Sequence, residues 1–452
     1  MSDPALLSII QARKLPAREL IQACRARIDQ WQSRTNAFLG FEEGPVTGVP
    51  LAHKDVFCRA GRVSSGGSKI LRDGVQSDTS AALARLDAAG FADLGRLNMS
   101  EFAYGTTGHN EHFGDCCNPW NPDYIAGGSS SGSGAAVAAR IVFGSLGTDT
   151  GGSVRLPAAA CGVTGLKTTW GRVSRHGVMP LSPSLDTIGP IARSAEDCAL
   201  LLQAIAGFDP RDPVSSRVPA PDYPIKKHDR VRIAISSAWI ERHTDPEVGT
   251  AVLAAAKLLA STGARLTEVE APDFDTLSAH CLVVMQSEAS AQHLRWMRER
   301  PGDYSSAVRA RLELGYAIPA TVYLEVLRAR GLWLDHFCNQ TLGGADLYLL
   351  PGIAVRLPTR EQTGSNGGPD VPRRVQEVTR LARWVNYLGV PALVVPCGFD
   401  SRGLPLSLQL VGRPFSEPAL LASGHAFQQE SGWHKRVPAH GPARNGESTW
   451  AS

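Results

Sequence analysis

Two glycine- and serine-rich turns, separated by one short apolar segment, constrain this chain more than any other feature of its sequence. The first turn covers residues 127–134, the second covers residues 147–153, and mostly alanine and branched aliphatic residues lie between them. Glycine permits backbone angles and close approaches that other residues forbid, and a helix that starts with Ser or Gly leaves N–H groups pointing outward. We therefore expect a buried helix running into a buried strand, with a hydroxyl and several N–H donors brought to one point.

Turns of this composition serve three different purposes in proteins. Glycine and serine clusters form plain turns and linkers, and glycine-rich helix starts bind phosphate. A hydroxyl among N–H donors also suits acyl transfer, which needs a nucleophile and a cradle for an oxyanion. Neither turn is followed by the Gly-Lys-Ser/Thr of a P-loop, and no dinucleotide-binding fingerprint follows a strand here. The phosphate interpretation therefore lacks its usual sequence support.

A lysine at the end of an apolar run supplies a candidate base. Residues 48–52 lead into His53 and Lys54. Most lysines are solvated, but a lysine that closes a buried strand loses part of its preference for the charged form and can act as a base. A Ser–Lys pairing is an established variant of the serine–base arrangement. His53 is the competing base, yet neighbouring residues on a strand point to opposite faces, so both cannot easily face the same serine.

Together with further segments, these stretches resemble the amidase signature family of serine hydrolases. The matching segments are residues 50–55, 125–133, 147–155, 165–168 and 184–194, with weaker likeness at residues 389–391 and 403–405. The two key serines, Ser129 and Ser153, are 24 positions apart, which fits the family's pattern. The resemblance implies an α/β fold: a single domain with a mixed, mostly parallel twisted central sheet covered by helices on both faces.

The resemblance also implies the chemistry, which is amide hydrolysis through an acyl-enzyme. It makes Ser153 the nucleophile, Lys54 the base, and Ser129, preceded by a cis peptide bond, the proton relay between them. It implies no metal and no organic cofactor. The oxyanion is expected to be held by the backbone N–H groups of Thr150, Gly151, Gly152 and Ser153.

Several neighbours of these residues are expected to support the site or to form its pocket. Ser130 and Ser131 are alternatives to Ser129 as the relay, or donors to Lys54. Thr107 is an alternative to Thr106 in the pocket wall. The residues that we assign to the pocket and its support are Tyr104, Thr106, Gly128, Ser131 and Arg356.

Two arginines are open to more than one interpretation. Arg356 follows an apolar strand and could meet a carboxylate or a ureido oxygen, or it could be a solvated arginine. Arg155 follows the second turn, and we expect it to form a buried charge pair with Asp186, with a role in substrate binding as the alternative.

Residues 109–117 and the cysteines offer other chemistry. The segment contains two histidines, two acids and two cysteines, but their spacing matches no zinc signature. The resemblance places this loop beside the active site instead. Cys161 lies among small apolar residues, which favours packing over a role as a nucleophile. A Cys–His pairing has no supporting feature in the sequence.

Length and composition fit one large enzyme domain. The chain has 452 residues, of which 43% are hydrophobic and 20% charged. We divide it into a core signature region at about 45–200, a helical substrate-pocket region at about 275–340 and a polar tail at about 438–452. The loop at residues 362–372 is expected near the pocket entrance.

The net charge and the cysteines limit which partners and which cellular compartment the sequence supports. A net charge of +3 gives no argument for nucleic acid or for a membrane surface. No apolar run is long enough to span a bilayer, and the first residues lack the pattern of a signal peptide. The nine scattered cysteines favour reduced thiols and a cytoplasmic address.

The sequence therefore predicts a serine amidohydrolase that acts on a small amide or urea-like substrate, with a homodimer as the plausible assembly. One alternative is the glutamine amidase subunit of a tRNA-dependent amidotransferase, which shares the chemistry but needs partner subunits. An alternative of another class is a non-catalytic binding or assembly protein.

Overall fold

A computed structural model describes residues 7–42, 47–220, 225 and 231–439. A small sheet near the N-terminus contains the strand that ends in the candidate base. Its strands are β1 (Phe38–Phe41), β2 (Val49–Lys54) and β3 (Phe91–Leu97), in the order β1-β3-β2. β2 runs parallel to β3, and β1 runs antiparallel to β3. Every residue of β2 is buried, as the continuous apolar run predicts.

A second sheet of eight strands forms the centre of the molecule. Its strands are β4 (Gly144–Asp149), β5 (Thr164–Lys167), β6 (Thr187–Ala192), β7 (Arg232–Ile235), β8 (Arg265–Glu268), β9 (Leu347–Pro351), β10 (Ala392–Phe399) and β11 (Pro405–Gly412). Their order across the sheet is β4-β6-β5-β10-β11-β9-β7-β8. The expected mixed central sheet is confirmed.

The expectation of mostly parallel pairing is wrong. β7 pairs in parallel with β8 and β9, whereas the pairs from β4 across to β9 are all antiparallel. Parallel neighbours need a crossover connection, and the chain provides one between β7 and β8, where a long helix intervenes. By contrast, only residues 400–404 connect β10 to β11, so this pair forms a hairpin.

Helices flank the central sheet. They are α1 (Ile9–Ala12), α2 (Ala17–Thr35), α3 (Ala81–Ala88), α4 (Ser131–Ala138), α5 (Arg155–Cys161), α6 (Ala195–Ile205), α7 (Ser237–His243), α8 (Pro246–Ser261), α9 (Phe274–Gln292), α10 (Leu294–Glu299), α11 (Ser306–Tyr316), α12 (Ala320–His336), α13 (Arg360–Thr363), α14 (Val371–Thr379), α15 (Arg383–Leu388) and α16 (Glu417–Ser431). α5, α8 and α16 all pack against β10 and β11.

These elements agree with two local expectations and change a third. The segment between the two turns forms α4 and then β4, both fully buried. The region at 275–340 is largely helical, since α9 to α12 lie there. The loop at 362–372 is shorter than expected, because α13 ends at Thr363 and α14 begins at Val371. The polar tail from residue 440 onward lies outside the described residues.

One hydrophobic core joins these layers, and it extends from Ile9 to Phe427. The contact between the small sheet and the central sheet matters most for the site. β2 lies against β4, and the N–H of Phe143 donates to the carbonyl of Pro50 at 3.1 Å. This contact brings the C-terminal end of β2 next to the second glycine turn. None of the described helices combines the length and the apolar character needed to cross a membrane.

Candidate active site

Lys54 lies at the end of β2, and only 1% of its surface is exposed. Its Nζ donates to Ser129 Oγ and to Thr148 Oγ1, each at 2.7 Å. Burial lowers the pKa of Lys54 to about 7, although the carboxylates of Asp186 and Asp149 favour the charged form. A lysine with such a pKa is substantially neutral at physiological pH and can accept a proton.

His53, the competing base, faces the other way. Its Nδ1 accepts a hydrogen bond from the backbone N–H of Leu146 at 3.1 Å. Burial lowers the pKa of His53 to about 4. The alternation of side chains along β2 thus separates His53 from Lys54, as strand geometry predicts.

The first glycine turn presents Ser129 to Lys54. The peptide bond between Gly128 and Ser129 is cis, in agreement with the resemblance. Gly127 has φ +73°, and a Cβ there would lie 2.7 Å from the carbonyl oxygen of Leu156. A Cβ at Gly128 would lie 3.1 Å from the carbonyl oxygen of Gly105. A glycine is therefore required at 127, and the space at 128 is too tight for a larger residue without movement.

The two turns are joined directly. The N–H of Ser130 donates to the carbonyl oxygen of Ser153 at 3.3 Å, and Ser130 Oγ donates to the carbonyl oxygen of Thr148 at 3.4 Å. Because Ser130 follows Ser129 in the chain, these bonds bring the predicted relay and the predicted nucleophile together. All three serines are buried.

Asp149 organises the turn that carries Ser153. It is completely buried at the end of β4, and its carboxylate accepts bonds from both backbone and side chains. The donors are Gly152 N (2.8 Å), Val154 N (3.1 Å), Arg155 Nη2 (3.0 Å) and Asn386 Nδ2 (2.8 Å). The Arg155 guanidinium holds the pKa of Asp149 well below its usual range against the effect of burial.

The expected pair between Arg155 and Asp186 is therefore wrong. Arg155 pairs with Asp149, which is only six positions away and shares the buried turn. Asp186 instead accepts a hydrogen bond of 2.6 Å from Thr150 Oγ1 and bonds from the N–H groups of Leu181 and Ser182. Burial raises the pKa of Asp186 to about 6. Each carboxylate thus fixes one part of the turn.

The predicted oxyanion donors differ in what they contact. The N–H of Gly152 already donates to Asp149, so we leave Gly152 out of the donor set. Within the described part of the chain, the N–H groups of Thr150, Gly151 and Ser153 have no hydrogen-bond acceptor. These three groups on the nucleophile turn are free to receive a developing negative charge.

Thr148 is the site residue that the sequence analysis missed. Neither Ser130 nor Ser131 bonds to Lys54, because their hydroxyls donate to the carbonyl oxygens of Thr148 and Asn98, each at 3.4 Å. The hydroxyl of Thr148 on β4 is instead the second acceptor of Lys54 Nζ. The available signal was its place in the segment, since it is a polar residue in a buried strand immediately before Asp149.

Tyr104 is held beside the site by an unusual backbone. The two preceding residues, Phe102 and Ala103, have φ of +48° and +61°. Such angles are uncommon outside glycine and are maintained only by the surrounding structure. Tyr104 is 5% exposed, its hydroxyl has no partner among the described residues, and burial raises its pKa to about 12.

A cavity of about 930 Å³ opens beside Tyr104. Tyr104, Thr107 and Ser100 are part of its wall. The N–H of Ser100 donates to the carbonyl oxygen of Ser129 at 3.1 Å, which connects the cavity wall to the predicted relay. The loop expected at the entrance contributes residues from Thr363 to Pro372. Thr106 is not part of this lining, and its hydroxyl is buried without a partner among the described residues.

Arg356 does not lie in this cavity. Its Nε is 3.0 Å from Asp245 Oδ2 and its Nη1 is 2.9 Å from Glu247 Oε1. Both partners belong to the start of α8, where Asp245 caps the helix. The structure therefore assigns Arg356 to an ion-pair network and not to the pocket, and this part of the sequence interpretation is wrong.

The polar residues at 109–117 pair with one another and with neighbours. His109 Nδ1 is 2.8 Å from Asp115 Oδ2, and His112 Nε2 is 2.9 Å from Glu101 Oε1. No group of three or more metal-ligating side chains occurs within the described residues. None of the nine cysteines, all of which lie in the described part of the chain, forms a disulfide, and burial raises the pKa of Cys161 above its usual range.

The fold and the buried lysine–serine pair define a class, the amidase-type enzymes that act on C–N amide bonds. The chain belongs to the amidase family: the family's model, described as Amidase, matches residues 11–421. The resemblance drawn from the motifs is thus confirmed.

Relatives cover nearly the full length of the chain. One is a subunit of the glutamyl-tRNA(Gln) amidotransferase of Methylococcus capsulatus, which is 35% identical over 95% of this chain and 97% of its own length. The corresponding protein of Halorhodospira halophila is 36% identical over 95% and 97%.

Solved structures share the fold. One, from a study of an unexpected vestigial protein complex that reveals the evolutionary origins of an s-triazine catabolic enzyme, has a TM-score of 0.85 at 32% identity and covers 94% of this chain and 98% of its own. The glutamyl-tRNA(Gln) amidotransferase subunit solved from Thermotoga maritima has a TM-score of 0.85 at 29% identity, with 97% and 98% covered.

Proposed function

We propose that this protein is a serine amidohydrolase that cleaves a carboxylic amide through an acyl-enzyme, with Ser153 as the nucleophile. The observation that carries the proposal is the hydrogen bond of 2.7 Å between Lys54 Nζ and Ser129 Oγ. Lys54 is a buried amine with a lowered pKa, and it is bonded to Ser129. The turn that carries Ser129 is hydrogen-bonded to the turn that carries Ser153. A proton relay from a serine nucleophile to a base needs such an arrangement.

In the first half-reaction, Ser153 Oγ attacks the amide carbon. Its proton passes to Ser129 Oγ, and the Ser129 proton passes to the neutral amine of Lys54. The negative charge moves to the substrate oxygen, which the N–H groups of Thr150, Gly151 and Ser153 receive. The intermediate collapses when the C–N bond breaks and the proton returns through Ser129 to the leaving nitrogen.

In the second half-reaction, water replaces the amine. The same relay takes a proton from the water as it attacks the ester carbon of acyl-Ser153. The C–O bond to Ser153 then breaks, and the proton returns to Ser153 Oγ. The products are a carboxylic acid and ammonia or an amine. In the reacting form of the enzyme Lys54 starts neutral and is charged while an intermediate exists, and a pKa of about 7 keeps a substantial share of the free enzyme in that neutral form near neutral pH.

The proposal is tested with the purified chain alone on a panel of primary amides. Ammonia release is measured, and hydroxylamine is added to intercept the acyl-enzyme as a hydroxamate. We expect both products from the wild type and neither from Ser153→Ala. The matched control is Ser133→Ala, which removes a buried hydroxyl that has no partner within the described residues. Hydroxamate formation by Ser153→Ala at the wild-type rate contradicts the assignment.

A second candidate is the glutamine amidase subunit of a tRNA-dependent amidotransferase. The near full-length relatives that carry the name of a glutamyl-tRNA(Gln) amidotransferase subunit favour it. The chemistry at Ser153 is the same, and the difference lies in the substrate and in the need for partner subunits. Strong preference for L-glutamine over other amides in the panel supports this candidate, whereas hydrolysis of several amides by the chain alone supports the stand-alone enzyme.

We further propose that residues 1–452 form one catalytic domain, because its buried residues join in one core. We also propose a reducing compartment and hence a cytoplasmic address, which the lack of any disulfide among the nine cysteines of the described residues supports. We propose a homodimer because it is the commonest assembly among soluble oligomers, and sedimentation of the purified chain tests it.

A further inference from the structure

One buried arginine next to the nucleophile turn has no counter-charge. Arg383 is the first residue of α15 and is 9% exposed. Its Cγ lies 3.6 Å from the position that a Cβ would take at Gly151. Among the residues that the structure describes, its side chain has no hydrogen-bond acceptor and no ion-pair partner.

A second arginine lies in the same region. Arg311 on α11 lines the large cavity and donates from Nη1 to the carbonyl oxygen of Tyr104 at 2.6 Å. Its guanidinium carbon is 6.0 Å from the centre of the Tyr104 ring. Arg311 also forms no ion pair with any described residue. Arg311 and Arg383 are close enough for each charge to disfavour the other.

The hydroxyl of Tyr104 completes this cluster. It is buried, it has no partner among the described residues, and it interacts electrostatically with both arginines. Because its pKa is raised to about 12, the hydroxyl stays protonated at neutral pH and remains available as a donor. Apart from the bond between Arg311 and the Tyr104 carbonyl, the side-chain donors of Arg311, Arg383 and Tyr104 have no acceptor among the described residues, and no carboxylate pairs with either arginine.

The two buried acids of the nucleophile turn already have partners. Asp149 pairs with Arg155, and Asp186 accepts from Thr150 and two backbone N–H groups. Cys281, which interacts with Arg383, has a pKa raised to about 12 by burial and is a neutral thiol. Buried guanidinium groups are normally paired, as Arg155 is in this same site.

We propose that the substrate carries a carboxylate, which Arg383 and Arg311 bind together with the Tyr104 hydroxyl beside Gly151. The fork of a guanidinium group matches the two oxygens of a carboxylate. Because Arg383 packs on Gly151, the carboxylate lies near the oxyanion donors and hence near the amide carbon. The substrate class is a short acid amide, in which a few carbons separate the carboxylate from the amide. This inference rests on the proposed function of Ser153.

The first test compares acids with their neutral diamides. Malonamate, succinamate and glutaramate are each measured against the diamide of the same carbon chain. We expect kcat/KM for at least one acid to exceed that of its diamide by about 10-fold or more, as a charged hydrogen-bonded pair provides. In Arg383→Met this ratio falls by about 10-fold or more. In Arg356→Met, which loses an arginine outside the cavity, the ratio stays at the wild-type value.

The second test needs no turnover. A fluorophosphonate labels Ser153, and malonate, succinate and glutarate are added as competitors at constant ionic strength. We expect at least one dicarboxylate to slow the labelling of the wild type, and to slow that of Arg383→Met much less. Arg383→Lys keeps the charge without the fork and is expected to lie between them.

The outcomes of the two tests are separable. Labelling of Ser153 without protection by any dicarboxylate, together with diamides that match or exceed the acids, overturns the carboxylate proposal while the hydrolase stands. This result is readable on the wild type even if Arg383→Met does not fold. Failure of the wild type to label at Ser153 overturns the proposed function itself.

Discussion

Thr148 Oγ1 lies 2.7 Å from Lys54 Nζ, the same distance as the Ser129 hydroxyl oxygen. The amine is therefore bonded to two neutral hydroxyl groups inside a fully buried site. Two hydroxyls orient the amine without adding negative charge, so burial dominates and the pKa of Lys54 falls to about 7. This arrangement keeps a base available near neutral pH.

Activity is expected to rise with pH. Only the neutral form of Lys54 accepts a proton, and that form grows as pH increases through about 7. The profile of kcat/KM should therefore have an acidic limb with an apparent pKa of about 7. Replacement of Lys54 by Met should reduce kcat/KM by about 10²–10⁴-fold, the usual contribution of a general base. Activity that falls between pH 6 and pH 8 contradicts a role for neutral Lys54.

Thr148→Val should shift this limb to lower pH. The hydroxyl is an acceptor for the charged form of Lys54, and its loss destabilises the ammonium by about 1.5 kcal/mol, or about one pKa unit. The limb is measured from kcat/KM between pH 5 and pH 9. The control is Thr35→Val, because Thr35 Oγ1 is a buried donor to the Trp31 carbonyl within α2. An unchanged limb in Thr148→Val would show that the hydrogen bond does not tune Lys54.

Asp149→Asn should destabilise the fold. The change leaves the buried guanidinium of Arg155 without its carboxylate, and breaking a buried pair in this way costs about 3–5 kcal/mol. The free energy of unfolding is measured by urea titration at pH 7. We expect the double variant Asp149→Asn/Arg155→Met to lose less than the sum of the two single variants. Full additivity argues against direct coupling between the two side chains.

The same carboxylate contributes to stability as a function of pH. The pKa of Asp149 is lower in the folded chain than in the unfolded chain, where it is near 3.8. Its contribution is therefore present above that value and is lost as pH falls toward the folded pKa. Wild-type stability should thus decline more steeply with acid than that of Asp149→Asn.

Gly152→Ala should lose both stability and activity. Gly152 has φ +118°, and an added Cβ would lie 2.6 Å from the Cβ of Ala382. Gly263, with φ +104° and no atom within 4 Å of an added Cβ, is the matched control. Gly263→Ala tests the backbone cost alone, about 1 kcal/mol, and Gly152→Ala should exceed it. Equal losses in the two variants, measured by thermal unfolding, would contradict the crowding at Gly152.

The sequence was most informative where chemistry is local. The strand ending in Lys54 and the two turns could be predicted because few kinds of site combine glycine- and serine-rich turns with a lysine at the end of a buried strand. The alternation of side chains along β2 was sufficient to place His53 and Lys54 on opposite sides of the strand. These features depend on residues that are neighbours in the chain.

Long-range partners could not be predicted in the same way. Asp149 and Asp186 are both buried acids near Arg155, and only the folded turn decides which of them meets the guanidinium. Arg356 looked free in the sequence, but α8 brings Asp245 and Glu247 to it. Arg383 did not stand out in the sequence, because the lack of an acid beside it among the described residues follows from the packing around α15 and not from its neighbours in the chain.

The central claim is that Ser153 is an activated nucleophile, and intact mass after treatment with a fluorophosphonate tests it most directly. Wild type, Ser153→Ala and the control Ser133→Ala are labelled side by side, with folding checked by circular dichroism. We predict one adduct on the wild type and on Ser133→Ala, and none on Ser153→Ala. An adduct of equal extent on Ser153→Ala, or no adduct on folded wild type, would contradict the account.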